Sequence, residues 1–172
     1  ISTTKSIVNG TPFLKKIMKE GIAPYFKNLR AEGKRIVFTN GCFDLIHKGH
    51  IKCLYDAAQS GDVLVVAIND DASIRRLKGE GRPVLPLDSR IALIAALECV
   101  DVVIPFSDDT PLEIIKQVRP HVLVKGGDYK ESEIVGRELV LKLGGFVKII
   151  EQMPGYSTSD IINKIVKTTK NK

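Results

Sequence analysis

A doubly wound α/β sheet of five parallel strands, covered by helices on both faces, is the fold class that this 172-residue sequence predicts. Three observations carry it. Short β-rich runs without a polar face recur along the chain, as strands buried on both sides require. Each run is followed by a segment with helical spacing, so strand and helix alternate five times. Such alternation builds an open parallel sheet with right-handed crossovers. The composition, 44% hydrophobic and 27% charged, is that of an ordinary globular protein, and the length is enough to bury one core without metal or disulfide staples.

The elements follow in order. "TPFLKKIMKEGIAPYFKNLRAEGK" has helical spacing broken near Gly21 and Pro24, which predicts two short helices in an N-terminal extension over residues 1–33. "RIVFT" (35–39) is the first buried strand. "HIKCLYDAAQSG" is a helix ended at Gly61. "DVLVVAIN" (62–69) is the second strand, and "DASIRRLKG" a short helix that runs into the loop "KGEGRPVLP". "LDSRIALIAALECV" is a strong helix with Asp88 or Ser89 as its cap. "DVVIPF" is the third strand. "DTPLEIIKQVR" is a helix with Thr110 capping and Pro111 in the first turn. "HVLVKGG" is the fourth strand, and "ESEIVGRELVLKLGG" a helix closed by paired glycines. "FVKIIE" is the fifth strand, and "STSDIINKIVKT" the last helix, capped by Ser or Thr. No repeat, low-complexity tract or interdomain linker interrupts the series.

The net charge of +6 suits anionic partners such as nucleotides, sugar phosphates, nucleic acid or acidic lipid, although a solvated lysine-rich tail accounts for part of it. Three widely spaced cysteines without a C-x-x-C argue against a disulfide framework or zinc site and for a reducing compartment. No apolar run approaches the ~20 residues of a membrane span, and "ISTTKSIVNG" has no hydrophobic signal core. The cytoplasm is the expected location, with no membrane partner. With 6% aromatics and no tryptophan, the chain offers little for stacking nucleic-acid bases.

The stretch "FTNGCFDLIHKGH" (38–50) holds two of the chain's three histidines, His47 and His50. It follows the first strand and opens the first crossover helix, where doubly wound sheets bind phosphates. Gly41 lets the backbone turn close to a ligand. The helix beginning near Gly49 offers free N–H groups and a positive dipole end. His47 and His50, at i and i+3, project to one side of that turn and can donate to phosphate oxygens. His121, at the start of a strand, reads as structural.

"NGCFDLIHKGH" resembles the G-x-F-D-x-x-H-x-G-H signature of the cytidylyltransferase-like nucleotidyltransferases, a Rossmann-like superfamily. "RLKG…RPV", "VKGGDY" and "YSTSDIINKI" are similar to its heptose 1-phosphate adenylyltransferase branch, found alone or fused to a sugar kinase. The likeness runs from about Lys34 to Val166, so residues 34–172 are expected to be the nucleotidyltransferase domain. It implies AMP transfer from ATP to a sugar 1-phosphate, for lipopolysaccharide or a related glycan, with Mg²⁺ entering on the ATP phosphates and no metal ligand assigned to protein side chains.

On this resemblance His47, His50 and the loop lysine Lys78 are the catalytic candidates, Lys78 being otherwise a solvated loop residue. Asn40, Gly41, Cys42, Phe43, Gly49, Arg90, Lys125, Gly126, Ser157, Thr158 and Ser159 are the nucleotide-binding candidates. Asp70, Asp71 and Asp128 are candidates for substrate hydroxyls; Asp44 either serves the substrate or Mg²⁺, or caps a turn. Many relatives carry an arginine just before the last serine-rich turn, where this chain has Gln152 and Met153. A homodimer is expected by analogy. Three other readings remain open at this stage: a cytidylyltransferase for glycerol 3-phosphate or another alcohol phosphate, a tRNA-binding module, and a non-catalytic nucleotide sensor.

Overall fold

The computed structural model describes residues 16–127, 129–151 and 153–170, with the side chains of Lys16 and Lys170 excepted. Six strands form one sheet: β1 (Lys16–Ile17), β2 (Ile36–Gly41), β3 (Val63–Asn69), β4 (Val102–Phe106), β5 (Val122–Gly126) and β6 (Phe146–Ile150). Their order is β1-β4-β3-β2-β5-β6, and every pairing is parallel. The predicted α/β architecture is therefore present, with one addition. Lys16–Ile17 add a two-residue edge strand against Val102 and Val103.

Consequently the two predicted N-terminal helices reduce to one within the described residues, α1 (Ile22–Ala31). It lays Ile22 and Phe26 onto the same core as the sheet. Residues 1–15 of the predicted extension lie outside the described residues.

Alternation along the strands divides the core in two. Ile36 and Phe38 of β2 face a layer containing α1, α5 (Leu112–Val118) and α6 (Arg137–Lys142). Val37 faces the opposite layer, with Leu54 of α2 (Lys48–Ala58) and Ile91 and Ile94 of α4 (Leu87–Ala95). This is the period-two signature of a strand buried on both faces.

Several helix boundaries differ from the sequence reading. α4 begins at Leu87 with Pro86 at its cap position, and the Asp88 carboxylate accepts from the Ser89 N–H. α5 begins at Leu112 with no side-chain cap, so Thr110 does not play that part. The predicted helix over 131–145 splits into one 3₁₀ turn (Glu131–Glu133) and α6. Gly136 makes the break at φ +88°, where a β-carbon would also lie 2.6 Å from Ile115 Cδ1.

Strand order reverses between β2 and β5: the chain runs outward through β3 and β4, then returns to the other side of β2. The carboxyl ends of β2 and β5 therefore flank the crevice where such sheets take ligands. No helix among the described residues is long and apolar enough to cross a membrane.

Candidate active site

A cleft of about 530 Å³ opens at that crevice. Its floor is the end of β2 and the turn into α2; its walls come from the loop after α3 (Asp71–Lys78), the end of β5, and the start of α7 (Thr158–Lys170).

The turn is built around two rings and two glycines. Phe43 takes φ +48°, an uncommon conformation for a residue with a side chain, and is nearly fully buried. A β-carbon on Gly41 would sit 3.1 Å from the Phe43 ring, so a glycine there leaves room for it. His47 stands at the cap position of α2, and its carbonyl accepts from the N–H groups of His50 and Ile51.

The His47 and His50 rings stack with centroids 3.8 Å apart and planes 28° from parallel. Phe43 flanks His50 at 5.5 Å. The Nδ1 atoms of both histidines are buried and have no hydrogen-bond partner among the described residues. Buried nitrogens of this kind are nearly always satisfied, so the pair is poised for a ligand.

Burial, and then the neighbouring His47, push the His50 pKa down to about 4. His47 is also lowered by burial, opposed by Asp160. Both shifts favour the uncharged rings at neutral pH, each with one N–H donor.

Positive charge comes from other elements. Lys125, at the end of β5, reaches Asn40 Oδ1 of β2 at 3.3 Å and bridges the crevice; burial pushes its pKa down. Lys78 ends α3 in an exposed position and is followed by Gly79 at φ +95°. Two helix starts add their free N–H groups. The start of α2 lies beside the segment leading into α7, with Tyr156 Cβ 3.4 Å from where a Gly49 β-carbon would stand. Just before α7 the Ser157 Oγ accepts from the Asp160 N–H at 3.0 Å and donates to its carboxylate at 2.7 Å.

The cleft thus brings together Asn40, Gly41, Cys42, Phe43, Asp44, His47, Gly49 and His50 with Lys78, Lys125, Gly126 and Ser157 to Ser159. Burial raises the Cys42 thiol, with Lys78 and Arg90 opposing.

Three of the predicted residues are placed otherwise. The Asp70 carboxylate caps α3 by accepting from Ser73 N–H at 2.7 Å. Asp71 pairs with Arg90 at 2.6 Å. Arg90 itself is completely buried and spends its donors on protein: Nε on the Leu85 carbonyl, Nη1 on those of Cys42 and Asn69, and Nη2 on Asp71. It braces the turn and is not among the residues that line the cleft.

Asp44 is equally committed. Its buried carboxylate accepts from Arg82 Nε and from the N–H groups of Val84 and Leu85. Burial alone would raise its pKa, but those donors hold it below the usual carboxylate value. These bonds give Asp44 a turn-fastening role. Asp128 and Gln152 lie outside the described residues. Among the described residues no three or more His, Cys, Asp or Glu side chains converge as a metal cage.

Sequence reasoning missed Asn69, Arg82, the 109–111 loop, Tyr129 and Glu133, which also line the cleft. Asn69 and the loop after β4 follow the carboxyl ends of strands, so the crevice rule could have found them.

The family model described as cytidylyltransferase-like matches residues 38–164. A protein named "Bifunctional protein HldE" from Geobacter sulfurreducens is 54% identical over 138 residues, covering 80% of this chain and 28% of that protein. Its namesake from Vibrio parahaemolyticus is 50% identical over 149 residues, covering 87% and 31%. This chain therefore spans under a third of the length of those curated relatives. Among solved structures, a lipopolysaccharide core biosynthesis protein from Thermoplasma volcanium superposes with a TM-score of 0.58 at 32% identity, over 70% of this chain and 98% of that one. A pantoate-beta-alanine ligase from Francisella tularensis, at TM-score 0.57 and 14% identity over 89% and 78%, shares the fold alone. With the signature turn, the reversal-point cleft and a family match over most of its length, the chain belongs to the cytidylyltransferase-like family.

Proposed function

We propose that this domain transfers AMP from ATP to heptose 1-phosphate, forming ADP-heptose and pyrophosphate for lipopolysaccharide or a related glycan. The observation that carries the reading is the stacked His47–His50 pair, with buried unpartnered nitrogens at the reversal point of the sheet. The half-identity to proteins named HldE supports the sugar.

The chemistry suits such a site. A sugar 1-phosphate is mostly dianionic at pH 7, since its second pKa is ~6. It needs no general base. One of its oxygens forms a bond to the α-phosphorus of ATP while the bond from that phosphorus to the bridging oxygen breaks, and pyrophosphate departs with the electron pair. The barrier lies in bringing two anions together as charge builds on phosphate oxygens, so donors and cations held in place supply the rate. His47 and His50 donate to the triphosphate; Lys78 and Lys125 balance its charge. Mg²⁺, when bound, is held by the phosphates and neutralises part of their charge; Asp44 is already occupied by its three donors. A cytoplasmic setting belongs to the same proposal and is supported by three widely spaced cysteines without a C-x-x-C.

The family description keeps a cytidylyltransferase acting on an alcohol phosphate as the second reading. Pyrophosphate release is to be measured with ATP and CTP against heptose 1-phosphate and glycerol 3-phosphate, with mass spectrometry of the product. ADP-heptose from the ATP–heptose pair is the expected result. Turnover confined to CTP and glycerol 3-phosphate would replace the first reading with the second.

A further inference from the structure

Arg82 lies in the loop "GEGRPV" and lines the cleft four residues beyond Lys78. Its Nε donates to Asp44 Oδ2 at 2.6 Å, and the Asp44 side chain has no exposed surface while that of Arg82 keeps 19%. The same carboxylate is held by the Val84 and Leu85 N–H groups. The anchor is therefore rigid, and it uses only one corner of the guanidinium. Neither Nη group makes a hydrogen bond among the described residues, and neither is a buried orphan. Arg82 lines the cleft and keeps part of its side chain exposed.

Charge balance shows what they are for. A bound triphosphate brings up to about four negative charges. Burial favours the neutral form of both imidazoles, and for His50 the neighbouring His47 does so further. Asp109, Glu133 and Glu151 also line the cleft and add negative charge, with Asp109 already paired to Arg76. Among the described lining residues the cations are Lys78, Arg82 and Lys125. Lys125 is tied to Asn40, and Lys78 sits on the exposed end of a helix. A guanidinium locked through Nε presents two parallel N–H directions, which fit two phosphate oxygens better than a point charge does.

We infer that Arg82 is a further catalytic residue: anchored by Asp44, it offers both Nη groups to the β- and γ-phosphate oxygens of the triphosphate and holds pyrophosphate as it forms. Asp44 is then the positioning residue that aims it. The inference rests on the nucleotidyl-transfer reading above.

The test uses the full chain, with inorganic pyrophosphate as the probe. Arg82→Ala and Arg82→Gln are compared with the wild type for kcat/KM of ATP, KM of the sugar phosphate, product inhibition by pyrophosphate, and melting temperature. Glutamine keeps an amide that can still bond Asp44, so it covers the case in which the alanine variant does not fold. Expected are a roughly 10²-fold fall in kcat/KM for ATP and pyrophosphate inhibition weakened at least about tenfold. The sugar-phosphate KM should hold steady, and methylguanidinium should restore part of the alanine variant's rate. A folded variant that pyrophosphate inhibits as strongly as the wild type overturns the role of Arg82 and leaves the transfer reading standing. A wild-type chain that neither turns over nor binds any of these phosphates overturns the transfer reading itself.

Discussion

Gly49 and His47 are matched in space: a β-carbon at position 49 would lie 3.0 Å from His47 Nδ1 and 3.1 Å from its Cε1. The imidazole occupies the volume that any other residue would claim. Gly49 also lies in the first turn of α2, where alanine is the better helix former by ~1 kcal/mol. Gly49→Ala should therefore leave the melting temperature unchanged or raised while lowering kcat about tenfold or more by displacing His47. Full activity in a folded Gly49→Ala protein would show that the ring has room to spare.

Removal of either ring tests the pair directly. His47→Ala or His50→Ala should lower kcat by roughly 10²–10³ with little loss of fold, as when an oriented donor is deleted. Steady-state turnover alongside a circular-dichroism melt separates the two effects, and near-native turnover in either variant refutes the assignment.

The role proposed for Lys78 belongs to a different moment. Its exposed place before Gly79 suits a side chain that closes over bound phosphates. Lys78→Ala should slow the chemical step in rapid-quench single-turnover experiments. An unchanged single-turnover rate would remove it from the reaction.

The histidines also predict how stability depends on pH. Folded His50 titrates at about 4 against an ordinary 6.5. His121 is lowered too, by burial and then by Arg30 and Arg35 against Asp62, and its Nδ1 accepts from Ile36 N–H at 2.9 Å. Groups depressed in the folded state bind fewer protons there than in the unfolded chain. Their contribution is present above pH 6.5 and is lost as pH falls from there toward 4. Urea midpoints should fall between pH 7.5 and pH 5, and by less in His121→Gln. A midpoint that holds steady or rises over that interval contradicts the sign.

Arg90→Lys should behave as a drastic change. Lysine cannot reproduce donors aimed at three carbonyls and a carboxylate, and a partly satisfied buried charge costs about 3 kcal/mol or more. Chemical denaturation reads the loss; a change under 1 kcal/mol would mean that water or another side chain takes over.

Much of this was legible in the sequence, for identifiable reasons. Runs such as "DVLVVAIN" read as buried strands because both faces of the sheet are covered, and the turn at 40–50 stood out because two histidines follow such a strand. Lys16–Ile17 were not legible: two residues carry no period, and their pairing depends on Val102 and Val103 far along the chain. The resemblance offered Arg90 as a nucleotide contact, and its inward direction was not legible. What turns it inward is a set of main-chain carbonyls at Leu85, Cys42 and Asn69 that no side-chain pattern announces. Arg82 was hidden for the opposite reason, since its orientation depends on Asp44, 38 positions earlier.

The adjacency of β2 and β5 has a consequence for biogenesis. Asn40 and Lys125 meet across 85 positions of chain, and β4 and α5 must be made in between. A nascent polypeptide leaving the ribosome therefore carries the histidine turn long before it owns the opposite rim. Until Gly126 has cleared the exit tunnel there is no seam for a nucleotide to enter, and ligand cannot assist folding before then.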